Sequence, residues 1–147
     1  MASLASWLGA WLRPEKPAAC FVTWRLARGQ PPLQPRERQV VFDTVLGGNG
    51  QRYELLALVV MDDHVHALVR GAPTAAAQLA ASWKASASHQ LQRVHRRSAN
   101  LWADGVQLTA VDSEERVRAL ANCILGNPWK RWPFLPGYAW VYHGIEN

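Results

Sequence analysis

His64 and His66 are the residues of this chain whose types and spacing most directly suggest chemistry. In a β-strand successive side chains point to opposite faces, so the two imidazoles would share one face and Val65 would occupy the other. Two imidazoles on one face can hold a divalent ion such as Mn²⁺ or Mg²⁺, leaving positions open for phosphate oxygens and water. The same spacing also occurs where strand histidines only pack or form hydrogen bonds, so the pair needs corroboration. Cys123 and Asn127 provide it, four residues apart and therefore on one side of a helix, with the Asn127 carbonyl oxygen as a third ligand. Cys123 reads either as a nucleophile or as a small residue at a helix edge. His89, His95 and His143 lie far from the pair in sequence and read as surface or packing residues.

The elements that must position these groups follow from the hydrophobic pattern. Residues 20–26 are rich in β-branched and aromatic side chains and predict a strand. After Pro31, Pro32 and Pro35, residues 36–46 carry Val40, Val41 and Val45 at helical spacing and end in Gly47-Gly48-Asn49-Gly50. Residues 53–61 and 64–70 are two apolar runs separated only by Asp62 and Asp63, the pattern of a hairpin with an acidic turn. A long alanine-rich helix is expected from Pro73 to about Arg97, with Leu79, Trp83, Ala87 and Leu91 on its buried stripe. A fourth strand is expected over residues 106–111. Asp112 and Glu115 read as a capping box for a last helix whose stripe is Val117, Leu120, Ala121, Ile124 and Leu125. Asn127-Pro128 should end that helix, because a residue before proline avoids helical backbone.

The order of strand, helix, two strands, helix, strand, helix predicts one α+β domain over residues 1–147: a ferredoxin-like, four-stranded, mainly antiparallel sheet packed with helices. Residues 1–18 read as an N-terminal arm, with residues 2–12 as a local helix, and residues 128–147 as a C-terminal tail. The 147 residues, 49% hydrophobic, suffice for a real core. Two widely separated cysteines without a recognisable secretory leader suggest reduced thiols in the cytoplasm. No stretch approaches the roughly 20 apolar residues of a membrane span.

Sixteen lysines and arginines against 11 acids give a net charge of +5, gathered in short clusters. Polyanions, and nucleic acid before membrane, are plausible partners, although such clusters are equally the composition of solvated faces. Arg93, Arg96 and Arg97 end the long helix, and Lys84 lies on it. Trp129-Lys130-Arg131-Trp132 interleaves aromatic rings with positive charge, a combination that stacks bases and follows a phosphate backbone. The same segment also fits a lid over the core.

At this point several segments, in order, resemble one family. Residues 58–69, Leu-Val-Val-Met-Asp-Asp-His-Val-His-Ala-Leu-Val, resemble the hairpin of the REP-associated tyrosine transposases, His-hydrophobic-His single-strand nucleases related to insertion-sequence transposases. Cys20-Phe21-Val22-Thr23 resembles the family's first strand, Leu101-Trp102 its Leu-Trp before the fourth strand, and Cys123-Ile124-Leu125-Gly126-Asn127-Pro128 its Tyr-Ile-x-x-Asn-Pro helix end. Lys84 falls where members often carry a lysine. The resemblance spans residues 20–142. It implies a protein that binds hairpin or single-stranded DNA at a divalent metal held by His64, His66 and Asn127, with Lys84, Arg93, Arg96, Arg97, Trp129, Lys130, Arg131 and Trp132 as candidate DNA contacts. It also implies cleavage through a tyrosine that keeps the 5′ phosphate, a location at the bacterial nucleoid, and a monomer or homodimer.

The pattern breaks where the chemistry needs it most. Cys123 stands at the family's tyrosine position, and a thiol is shorter than a phenol and a soft nucleophile poorly suited to phosphodiesters. Basic or aromatic residues common after Leu-Trp are replaced by Ala103-Asp104-Gly105-Val106, and Thr109 and Asp112 also stand where polar or basic groups are common. The expectation is therefore a transposase-like DNA-binding protein whose tyrosine-dependent strand transfer is lost or impaired. Two alternatives stay open: a nuclease that uses a metal-activated water or a downstream tyrosine, Tyr138 or Tyr142, and a ferredoxin-like module that binds no nucleic acid.

Overall fold

The computed structural model of the protein describes residues 17–145, so the proposed arm falls almost wholly outside the described residues. Its elements are β1 (Ala19–Arg25), α1 (Pro35–Leu46), β2 (Leu55–Val60), β3 (His64–Arg70), α2 (Pro73–His95), β4 (Gln107–Val111), α3 (Glu114–Leu125), α4 (Asn127–Arg131) and β5 (Val141–His143). The strands form one sheet in the order β4-β1-β3-β2-β5, and every neighbouring pair is antiparallel. The first four strands and first two helices make the β-α-β-β-α-β connection of a ferredoxin-like domain, as expected. The fifth strand was not expected. Residues assigned to a tail return to the sheet as β5, which pairs with the otherwise open edge of β2 through Ala57↔His143, Leu58↔Tyr142 and Val59↔Val141.

Local chemistry sets the helix boundaries. Pro35 and Pro73 occupy the first turns of α1 and α2, where a missing N–H leaves no helical bond unmade. The Gln34 backbone N–H donates to Glu37 Oε1 at 2.9 Å, one arm of a capping box. At α3 the expected Asp112–Glu115 box gives way to Ser113, whose hydroxyl accepts from the Arg116 N–H at 3.2 Å. A shorter side chain at the residue next to the helix reaches the free amide better. Asp112 lies outside the helix and pairs with Arg116. The helix stops before Gly126, one residue earlier than expected, and Asn127 opens α4 rather than closing α3. Pro128 cannot donate back into the preceding turn, but it fits the first turn of a new helix.

Helices cover both faces of the sheet unequally. On one face α1 (Val41, Val45) and α2 (Ala80, Trp83, Ala87, Leu91) pack on Cys20, Val22, Trp24, Val65, Ala67 and Val69, all buried. On the other, α3 supplies Val117, Ala121 and Ile124 against Ala19, Ala57, Val59 and Leu68. All six residues of β2 are buried, because α1 lies over one side of the strand and α3 over the other. Since α3 lies chiefly over β2, the start of β3, the end of β1 and the start of β4 lie beyond it on that face, with Thr23 buried and His64 and His66 half-buried. His64, His66, Thr23, Arg25 and Gln107 meet there.

Candidate functional site

The register of β1 on β3 sets Thr23 opposite His66 and Arg25 opposite His64. Both histidines share the α3 face, and their rings stand 4.6 Å apart between centroids at 71°. Each ring is held at Nδ1. With the proton on that nitrogen, His66 donates to Thr23 Oγ1 at 2.8 Å and His64 donates to Asp63 Oδ1 at 2.7 Å. The two Nε2 atoms are thereby left as acceptors. This carboxylate-or-hydroxyl support at one nitrogen is the arrangement that orients metal-bound imidazoles.

At His66 electrostatics favour the same state. Burial, with the neighbouring His64 and Arg25 charges, pushes the His66 pKa down to about 4, so the ring is neutral near pH 7 and its lone pair is available. Burial acts to raise the Asp63 carboxyl, but hydrogen bonds from His64 and Arg131 outweigh it and hold the group below its ordinary value. Asp63 thus stays ionised beside His64 and close to where a cation would sit.

The α4 segment reaches this corner through Arg131. Its guanidinium pairs with Asp62 and Asp63, each at 3.1 Å, tying α4 to the turn before the histidines. Asn127 is one turn earlier on α4, and half-buried, so the i, i+4 relation sets it on the side of the helix that Arg131 occupies. Among the described residues no group of three or more His, Cys, Asp or Glu side chains is gathered for a metal. Asn127 carries an amide oxygen, a donor outside that set.

Cys123 lies near the end of α3. It is exposed, and Lys130 Nζ lies 3.2 Å from its sulfur and 3.5 Å from its carbonyl oxygen. The thiol opens into a groove of about 380 Å³ between β4 and α3, lined by Thr109, Arg116 and Leu120. Neither downstream tyrosine is placed as a free nucleophile. Tyr138 donates to the Val60 carbonyl at 2.6 Å, and burial raises its pKa. The Tyr142 hydroxyl accepts from Asn49 Nδ2 at 2.9 Å, and its ring packs in the core on the face away from the histidines.

The basic candidates divide. Lys130 and Arg131 lie at the histidine corner, and Trp129 is 37% exposed beside them. Trp132 turns inward to stack on Tyr138, with centroids 5.9 Å apart. Arg93 and Arg96 are exposed at the end of α2, at the histidine end of the sheet but on its other face; Arg96 caps the helix with φ of 54°. Arg97 and Lys84 already have structural partners. The Arg97 guanidinium is 9% exposed, pairs with Glu37 at 3.4 Å and donates to the Pro31 carbonyl at 2.6 Å. Lys84 Nζ donates to the carbonyls of Ala103 and Gly105 at 3.0 and 2.8 Å, bracing the loop before β4. Thr23 and Asp63 are the supports the sequence reading missed. Asp63 was visible as the residue before His64, whereas Thr23 meets His66 only through strand register.

No protein-family model matches the sequence, and no curated protein is similar to it in sequence. Solved structures do share the fold. A REP-associated tyrosine transposase bound to a REP hairpin superposes with a TM-score of 0.64 at 18% identity, covering 79% of this chain and 69% of that one. A protein from Deinococcus radiodurans R1, whose assignment as a transposase is itself provisional, superposes with a TM-score of 0.50 at 18% identity, covering 76% of this chain and 92% of the other. The antiparallel sheet and its helices are thus the fold of these proteins. Among the described residues no helix is long and apolar enough to cross a membrane.

Proposed function

We propose that this chain is a transposase-like DNA-binding protein that engages hairpin or single-stranded DNA at a divalent-metal site and lacks tyrosine-dependent strand transfer. The observation that carries the reading is the histidine pair. His64 and His66 share one face of the sheet, each secured at Nδ1, in a fold also found in a transposase bound to a REP hairpin. His64, His66 and Asn127 would hold the ion, which when bound supplies Lewis-acid polarisation of a phosphate oxygen. Two nitrogen donors suit Mn²⁺ better than Mg²⁺, which prefers oxygen ligands. Thr23 and Asp63 keep the rings oriented, Arg25 and Lys130 supply positive charge to a phosphate backbone, and Arg131 holds α4 against the turn.

Loss of strand transfer rests on Cys123. An exposed thiol beside Lys130 is a poor substitute for a phenolate in attacking a phosphodiester, and the hydroxyls of Tyr138 and Tyr142 are engaged elsewhere. The test is incubation with hairpin DNA and Mn²⁺ or Mg²⁺, followed by binding measurements and denaturing gels. Tight hairpin binding with neither cleavage nor a covalent adduct is the expected result. An adduct abolished by Tyr138→Phe or Tyr142→Phe would refute the loss of activity, and failure to bind DNA even at low salt would refute the DNA-binding reading.

A further inference from the structure

A second groove, of about 1000 Å³, lies outside the histidine corner, between the start of α1 and the chain that leads from α4 to β5. Three aromatic rings and one guanidinium dominate it. Trp132 stacks on Tyr138, and Tyr138 meets Trp140 edge to face at 5.2 Å. The Arg38 guanidinium lies 5.0 Å from the Trp140 ring centre and 6.0 Å from that of Trp132. Among the described residues no carboxylate pairs with Arg38; its Nε donates to the Leu33 carbonyl at 3.0 Å, which fixes the side chain and leaves its charge uncompensated.

Resting on the DNA-binding reading above, we infer that this groove is a stacking site for an unpaired nucleotide of the bound strand, separate from the metal corner. Two features of the rings select that occupant. Trp140 Nε1 donates to Gln39 Oε1 at 3.1 Å and Tyr138 donates to Val60, so the polar atoms of both rings are turned back into the protein. What remains for a ligand is π surface, which stacks any base with little sequence preference. Arg38 then matches the base face or the adjoining phosphate. A proline-rich peptide would also fit aromatic walls, but unlike a nucleotide it brings no anion to an uncompensated guanidinium.

Continuity with the metal corner is the third feature. The Arg131 guanidinium lies 5.4 Å from the Trp132 ring centre while it pairs with Asp62 and Asp63, and Asp63 holds His64. One cation therefore borders both places, and a strand crossing the histidines would meet the aromatic groove next. Phe134, 97% exposed on the same connecting segment, adds a further apolar surface beside that path.

The test compares a blunt DNA hairpin with the same hairpin carrying a single-stranded extension of 5-iodouracil and thymine, using wild-type protein, Arg38→Ala and Gly137→Leu. Gly137 lines the groove, and a Cβ there meets nothing within 4 Å, so the backbone accepts a side chain and leucine adds bulk at the groove wall. The extension should tighten wild-type binding by about tenfold or more, the effect of one or two stacked bases. That gain should vanish in both variants while blunt-hairpin affinity stays unchanged, and photocrosslinks from the extension should fall on Trp132, Tyr138 or Trp140. No gain from the extension, a gain that survives both variants, or crosslinks confined to other segments would overturn the groove assignment and leave hairpin binding intact. Saturable binding of a proline-rich peptide, lost in both variants while the extension has no effect, would also overturn it. If neither DNA binds at low salt, the DNA-binding reading fails and the groove assignment fails with it.

Discussion

Arg97→Met separates a structural arginine from a DNA contact, a distinction that the clustering of Arg93, Arg96 and Arg97 in sequence does not make. The Arg97 side chain is 9% exposed and that of its partner Glu37 is 5% exposed, with 3.4 Å between them. Removing one member of a buried pair leaves the other charged and desolvated, at a cost of about 3–5 kcal/mol. The lower figure applies here, because Glu37 keeps its hydrogen bond from the Gln34 N–H. At about 2.1 cal/mol/K of unfolding entropy per residue, the 147 residues give roughly 0.3 kcal/mol/K, so a 3 kcal/mol loss lowers Tm by about 10 °C. Circular dichroism of thermal unfolding at neutral pH measures it. Glu37→Gln combined with Arg97→Met should recover a substantial part of the loss, since the amide still accepts from Gln34 and no charge is left buried. At temperatures where it is folded, the variant should bind hairpin DNA with unchanged affinity and salt dependence. Unchanged Tm together with weaker DNA binding and a salt slope reduced by about 1 would refute the structural assignment and make Arg97 a phosphate contact.

Further predictions concern the histidine corner and the loop before β4. Thr23→Val and Asp63→Asn should each weaken Mn²⁺ binding by about 10- to 100-fold while preserving the fold, measurable by calorimetry or electron paramagnetic resonance; undiminished affinity would mean that the Nδ1 supports do not orient the ligands. In chelator, stability should be greatest above about pH 6.5, the unfolded value of a histidine, and fall as the pH drops toward about 4, because the unfolded state takes up a proton that buried His66 does not. The loss should be at most about 3 kcal/mol from this group, and His66→Gln should flatten that part of a urea-unfolding pH profile. Cys123→Tyr should give a covalent adduct with hairpin DNA in Mn²⁺ that His64→Ala abolishes; binding without an adduct would show that the changes around Ala103 to Val106 and at Thr109 also matter. Lys84→Met should make the chain near Asp104 and Gly105 more sensitive to proteolysis, because the clamp on the Ala103 and Gly105 carbonyls is gone.

The sequence by itself determined the parts whose signals are local. Alternation put His64 and His66 on one face, the Asp62-Asp63 pair marked the hairpin turn, and the stripes of α2 and α3 located the buried helix faces. Those patterns follow from the pitch of a strand and a helix, and the structure keeps them. Even the helix ends missed by a residue or two, at Ser113 and Gly126, were choices among adjacent residues of similar chemistry.

Only the tertiary structure decided which distant groups meet. Thr23 supports His66 across 43 residues because β1 and β3 pair in that register, and a shift of one residue would have turned it to the opposite face. The three residues of β5 are too few for a periodic signal, and they became a strand only because the edge of β2 was open. Charge was the least legible feature. Arg97, Lys84, Arg131 and Arg38 are all cations in the sequence, yet one is in a buried ion pair, one braces a loop, one bridges an acidic turn and one lines an aromatic groove. A side chain's type fixes what it can bind; the packing of α1, α2 and α4 around the sheet fixes what it meets.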